Sequence, residues 1–291
     1  MARGLDHIVH AVRDLDAAAE FYRRAGFTVG ARNLHPWGTA NRLVQLPGFF
    51  IEILTVADEA LIAGDTAHAE LAHLFGAFNR DAIRHGDGFS TLILESKAIA
   101  ADVSTLAGLG LSCSGELRFS REGSKPDGGP VTVGFSLGFV RDEMSPNVAF
   151  AVMQQRNPQA FWNDAYQSHD NSAQAVLGAV LVADNPTDHH IFLSAFTGER
   201  ELHSTSSGLV AQTPRGDVEV LEPVAFRDRF GVELVAEGDG MKLAGLRLGV
   251  GSLEACEASL RRGGVPVRRQ LNSLVVDPSL AFGATLIFDA M

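Results

Sequence analysis

A chain of 291 residues with 46% hydrophobic and 20% charged residues is long enough for two domains and too apolar to be disordered. Lys and Arg number 24 against 35 Asp and Glu, a net charge of −11, which argues against nucleic-acid and anionic-membrane partners. Two cysteines, Cys113 and Cys256, exclude a disulfide scaffold and a Cys-based zinc site. No apolar run reaches the roughly 18–20 residues that span a bilayer, and Met1–Asp6 lacks a signal-peptide core, so the expected location is the reducing cytoplasm.

Leu5–Val12 predicts a strand, with Leu5, His7, Val9 and Ala11 on one face and Asp6, Ile8, His10 and Val12 on the other. Asp14 caps a helix on which Leu15, Ala18, Phe21, Tyr22 and Ala25 recur at helical spacing until Gly26 stops it. Strand-like stretches follow at Phe27–Ala31, Ala40–Leu46 and Phe49–Leu54, giving the order β-α-β-β-β. The C-terminal end repeats this. Ser252-Leu253-Glu254-Ala255 matches Asp14-Leu15-Asp16-Ala17, and Arg261-Arg262-Gly263-Gly264-Val265 matches Arg23-Arg24-Ala25-Gly26-Phe27 at the same offset. Its strands are Leu243–Val250, Leu274–Val276 and Thr285–Phe288. Two weaker copies lie between. One has a strand at Phe89–Leu94, a helix at Ala98–Leu109 and a last strand at Ala149–Gln155; the other has strands at Val176–Val182, Gly208–Gln212 and Val218–Leu221.

The predicted fold is therefore α+β: a tandem repeat of four βαβββ units with helices outside. A single unit leaves its concave face unburied, so the units pair into two half-open barrels. Residues 1–165 form the first barrel with the candidate cleft, and 166–291 a degenerate second, joined through the polar stretch Asn163–Ser172. The segment Arg121–Gly129 reads as a hairpin tip, either closing over a substrate or solvated, His189 and His190 as solvent residues, and Phe161-Trp162 as core between the barrels in preference to an aromatic wall over the cleft.

The first unit resembles the vicinal oxygen chelate superfamily, which includes glyoxalase I, fosfomycin-resistance proteins and extradiol dioxygenases. Asp6-His7-Ile8-Val9, Asp14-Leu15, Phe21-Tyr22, Gly26-Phe27 and Phe50-Ile51-Glu52-Ile53-Leu54 carry the resemblance. A tighter similarity, to glyoxalase-like domain proteins, rests on His35, on Gly38-Thr39-Ala40-Asn41 and on Ile51-Glu52-Ile53-Leu54. The resemblance implies a cleft metal held by the first and last strands of paired units. That assigns His7 and Glu52 as ligands and catalytic groups, with Gln155 as a weak third ligand or substrate contact. His35, Trp37, Thr39 and Asn41 become substrate-binding residues; a tight turn is the equal alternative for that cluster.

Unit two departs from the pattern, with Ser90 or Thr91 where a ligand belongs. The second barrel offers Leu177, Glu219, Gly245 and the region of Ile287, and only Glu219 of these suits a metal. The expected activity is that of a glyoxalase-type lyase or isomerase on a small oxygen-rich carbonyl compound, with Zn, Ni, Mn or Fe if a divalent metal is bound. The alternative is a metal-free protein that sequesters a small molecule. A homodimer paired across open sheet edges is a further expectation.

Overall fold

Leu5, Ile8, Val9 and Ala11 distribute apolar side chains over both faces of Leu5–Ala11, a central strand buried throughout. The computed structural model describes residues 1–64, 68–124, 129–234 and 240–291. The first sheet contains β1 (Leu5–Ala11), β2 (Asn33–Leu34), β3 (Thr39–Leu46), β4 (Phe49–Val56), β5 (Gly88–Glu95), β6 (Ser112–Cys113), β7 (Leu117–Ser124), β8 (Pro130–Arg141) and β9 (Ala149–Gln155). Their order is β2-β3-β4-β1-β5-β9-β8-β6, with β7 on β8. β1 runs parallel to β4 and antiparallel to β5, so two units join through a β1–β5 seam.

The second sheet repeats the plan. It contains β10 (Ala173–Val182), β11 (His203–Thr205), β12 (Gly208–Ala211), β13 (Asp217–Leu221), β14 (Lys242–Val250), β15 (Arg268–Gln270), β16 (Ser273–Val276) and β17 (Thr285–Ala290). Its order is β11-β12-β13-β10-β14-β17-β16-β15. The four-unit α+β fold is thus present. The first sheet ends at residue 155 and the second begins at 173. His169 and Asn171 tie down the connection: Thr28 N donates to His169 Nδ1 (3.0 Å), and Asn171 Nδ2 donates to the Ala25 carbonyl (2.8 Å).

One helix follows the first strand of each unit: Leu15–Arg24, Ile99–Gly108, His190–Thr197 and Leu253–Arg262. Asp14 caps the first by accepting from the Asp16 and Ala17 amides, and Ser252 caps the last from Ala255. Their apolar faces and the sheets' outer faces share one core, with Ile8, Phe21 and Phe150 from one half and Phe196, Leu260 and Phe288 from the other. The inner faces carry separate clusters. Val9, Phe50, Leu54, Phe135 and Met153 belong to the first, and Val180, Val275 and Ile287 to the second.

Three features differ from expectation. Residues 27–31 form no strand; their amides bond instead to His169 and to the Leu43 carbonyl, and the unit's second strand is the short β2. An unforeseen helical run, Glu59–Ala63, Ala69–Leu71, the π-helical Ala72–Ala77 and Phe78–His85, links β4 to β5. β7 pairs with β8 as the expected hairpin, while tip residues 125–128 lie outside the described residues. His189 is buried against Asp142 (3.3 Å) rather than solvated.

Candidate functional site

Strand alternation puts Glu52 with Phe50 and Leu54 on the concave face of β4, and His7 with Val9 on that of β1. Parallel pairing sets Val9 beside Glu52 and His7 beside Phe50. His7 Nε2 consequently lies 3.7 Å from Glu52 Oε2, inside a narrow hollow with about 50 Å³ open to the centres of water-sized spheres. The His7 ring stacks on Phe50, with centroids 4.2 Å apart. On its other edge Nδ1 donates to Asp6 Oδ1 at 2.7 Å.

The His35–Asn41 segment is both a tight turn and part of this hollow. The His35 amide donates to the Thr39 carbonyl, and the Gly38 carbonyl accepts from the Ala57 and Asp58 amides. Gly38 holds φ +93°, and an added Cβ would come 2.3 Å from the Asp58 carbonyl oxygen, so only glycine fits there. The turn delivers His35, Trp37 and Asn41 to the hollow, with His35 stacked on Trp37 at 4.5 Å. Asn41 Nδ2 donates to Glu52 Oε1 (2.6 Å) and faces His35 Nε2 (3.2 Å), while Asn33 Nδ2 donates to Asn41 Oδ1 (3.0 Å). With Nε2 accepting, His35 Nδ1 carries the proton toward Thr39 Oγ1 at 2.8 Å.

Burial governs the ionisation of these groups. It raises the Glu52 pKa, opposed by His7, Asn41 and Arg121. It lowers His35 to about 3, aided by the Arg121 cation, so this imidazole is neutral at physiological pH.

Of the residues singled out from sequence, His7, His35, Trp37, Asn41 and Glu52 line the hollow. Thr39 stands behind His35 and does not reach it. Gln155 lies elsewhere. Its Nε2 donates to Asp6 Oδ2 (3.3 Å) in a neighbouring depression of about 310 Å³, and its buried Oε1 has no hydrogen-bond partner among the described residues. Repeating the spacing of His7 and Glu52 in unit two leads to Thr91 and Ala151 through the pairs Thr91–Ala149 and Ile93–Ala151, so Gln155 falls four residues past the matching position.

Two site residues escaped the sequence reading, and for a third the less favoured alternative holds. Asp6 was placed on the far face; the β1–β5 ladder shifts register between Leu5 and His7, and the Asp6 side chain meets His7. Arg121 was read as part of a hairpin tip but lines the hollow; the alternation Leu117, Phe119, Arg121 along β7 was the available signal. Phe161 also lines the hollow instead of filling a junction between barrels.

The donor set falls short of a complete metal shell. No group of three or more His, Cys, Asp or Glu that could hold an ion occurs among the described residues. His7 Nε2 and Glu52 Oε2 are two ligands in place, but Asn41 already caps the other carboxylate oxygen, Arg121 brings its own positive charge, and Gln155 is turned away. A divalent ion there would need substrate or water for the rest of its shell.

In the second barrel, β10 and β13 pair Val180 with Glu219 as β1 and β4 pair Val9 with Glu52, which sets Gly178, and not Leu177, opposite His7. Glu219 is closed off between Arg229 (2.5 Å) and Arg247 (2.6 Å). The helix Pro223–Phe230 inserts Phe226 and Phe230 into the inner cluster, and Gly245 admits the Phe226 ring.

The profile of a family described as glyoxalase-like domain matches residues 5–197. No curated protein matches the chain. Among solved structures, a hypothetical protein from Staphylococcus aureus is similar at TM-score 0.69 and 13% identity, covering 99% of this chain and 100% of that one. A mutant 4-hydroxymandelate synthase from Streptomyces coelicolor aligns at TM-score 0.54 and 10% identity, covering 99% and 92%. A fusion of a xylose isomerase-like TIM barrel with a 4-hydroxyphenylpyruvate dioxygenase aligns at 0.57 and 10%, covering 99% and 49%. At these identities the likeness is one of fold.

Proposed function

On the premise that this chain belongs to the glyoxalase-like domain family, within the vicinal oxygen chelate superfamily, we propose that its first barrel moves a proton on a carbon beside a carbonyl group. This is lyase or isomerase chemistry on a small oxygen-bearing molecule. The observation behind it is Glu52: a carboxyl only 5% exposed, its pKa raised by burial, one oxygen fixed by Asn41 and the other facing His7. A carboxyl tuned upward is matched to taking and returning a proton near neutral pH. Glu52 takes the proton from carbon, and the electron pair moves onto the carbonyl oxygen. The Arg121 guanidinium faces the developing charge, and His7, its Nδ1 proton held on Asp6, presents Nε2 to Glu52. Glu52 then returns the proton to the neighbouring atom or to a leaving group.

Solvent-deuterium incorporation into a panel of hydroxyketones and small dicarbonyls tests this reading. The wild-type protein catalyses exchange on at least one member. Glu52→Gln, nearly isosteric, lowers that rate by about 10²- to 10⁴-fold with its melting transition retained. Exchange that survives in Glu52→Gln overturns the assignment. The same panel addresses metal assistance: a stoichiometric Zn, Ni, Mn or Fe ion, lost in His7→Ala, would show that substrate or water completes the two-ligand shell. The apolar walls, among them Leu43, Phe50, Phe135 and Met153, also suit a protein that only sequesters its ligand. That reading predicts a raised melting temperature with ligand and no exchange.

A further inference from the structure

Two groups in the hollow can donate hydrogen bonds but cannot accept them, and neither has an acceptor. Trp37, 2% exposed, lines the hollow, and its Nε1 is buried with no hydrogen-bond partner among the described residues. Arg121 lines it as well, on β7. Among the described residues its guanidinium makes no hydrogen bond or ion pair, and its interactions are the longer-range ones with Glu52 and His35. Indole N–H and guanidinium have no lone pair to offer, so only an acceptor satisfies them. Of the acceptors nearby, Glu52 Oε2 faces His7 at 3.7 Å and makes no hydrogen bond to Arg121, and the others are committed. Asn41 caps Glu52 Oε1 and accepts from Asn33, and Thr39 Oγ1 is paired with His35. An unpaired buried donor costs about 1–3 kcal/mol, more for a charged one, and that cost is relieved when a ligand brings the missing oxygens.

We propose that the ligand of this hollow is a monocarboxylate, its carboxylate paired with Arg121 and Trp37 Nε1 and its compact apolar body lying against Phe50, Phe119 and Phe135. The proposal deepens the proton-transfer reading and rests on it for placing the carbonyl beside Glu52. Guanidinium matches a carboxylate through two parallel N–H donors. Among the described residues Arg121 is the one guanidinium lining the hollow, and burial favours the neutral form of Glu52 beside it, so one added negative charge is balanced; a phosphate dianion would want further free donors, whereas Asn41 is engaged with Glu52 and His7 donates to Asp6. Arg121 is therefore a specificity-determining residue, and the substrate class is a small 2-oxo or 2-hydroxy acid with an aryl or branched alkyl group.

Binding of matched acids and amides decides it. Acetate, pyruvate, benzoate and phenylacetate are compared with their neutral amides by calorimetry and melting shift, on wild type, Arg121→Gln, Arg121→Lys and Trp37→Phe. The expected result is an acid that binds wild type at least about 10-fold tighter than its amide, a preference of the size of one charged hydrogen-bonded contact. Arg121→Gln abolishes the preference, and a retained melting transition shows that the variant is folded. Arg121→Lys keeps part of the preference, and Trp37→Phe weakens the acid more than the amide. Equal binding of acid and amide to wild type, an undiminished preference in Arg121→Gln, or no acid bound at roughly millimolar concentration overturns the proposal. Because Glu52→Gln removes exchange without removing Arg121, acid binding without exchange defeats only the proton-transfer reading. Exchange on neutral compounds without acid preference defeats only this one.

Discussion

A carboxylate accepts hydrogen bonds and does not donate them, so Asp6 keeps the proton of His7 on Nδ1 and leaves Nε2 to face Glu52. Asp6→Asn reverses that preference, because the amide can donate. The expected outcome is a fall in exchange rate on the order of 10-fold or more, with a displaced pH–rate profile and the same melting behaviour at neutral pH. A residue with a merely structural part would change the melting transition and leave the profile in place. At this scale the sequence was informative wherever side chains obey strict alternation: His7 and Glu52 meet because each lies on the concave face of a regular strand. Asp6 was misplaced because a shift in the β1–β5 ladder breaks that alternation. Arg121 was missed because a cation in a Gly-rich hairpin ordinarily lies in solvent. Gln155 was overvalued because the register between β5 and β9, which decides the matching residue, is not written in either strand alone.

Elements were read best where capping and period agree, as in the helices opened by Asp14 and Ser252, and worst where a segment is held by contacts distant in sequence. The helical run between β4 and β5 sends Leu71 and Phe75 to the first hollow, and its short turns carry little periodic signal of their own. The helix Pro223–Phe230 has the opposite relation to the second barrel, since Phe226 and Phe230 enter its inner cluster at 0% and 1% exposure. Phe226→Ala should therefore cost about 3–5 kcal/mol in denaturant unfolding, because the fully buried ring lies beside Gly245 and Ile287 in the inner cluster and its loss leaves a cavity. The same variant should leave ligand binding in the first barrel within twofold of wild type. A coupled loss of binding would show that the two hollows do not act separately.

For the whole molecule, the two halves meet through neutral histidine chemistry. His10 on β1 accepts from the Tyr22 hydroxyl at 2.9 Å and donates from Nε2 to the Phe282 carbonyl of the other half at 2.8 Å. Burial lowers its pKa to about 4, opposed by the Phe282 carbonyl and Asp87. A group whose folded pKa is depressed contributes stability above its unfolded value, about 6.5 for histidine, and loses it as pH falls toward the folded value. His10 and His35 should each withdraw about 2 kcal/mol between pH 7 and pH 5. Glu52 acts in the opposite sense, because its raised pKa favours the folded state at low pH and loses that contribution as pH rises. Urea unfolding at the two pH values should show a smaller drop in His10→Gln than in wild type, by about the single-histidine amount. An identical drop would place the proton uptake elsewhere.

Both sheets were built to one plan, yet only the first keeps its cup open. In the second, the stretch after β13 turns inward and lays Phe226 and Phe230 in the inner cluster, whereas the stretch after β4 lends Leu71 and Phe75 to the wall of the first hollow and leaves it open. Tenancy is thus decided by the route of a connector rather than by the walls it meets. A relative whose corresponding stretch was too short to reach inward would own two vacancies, and one whose first connector dived in the same way would have none.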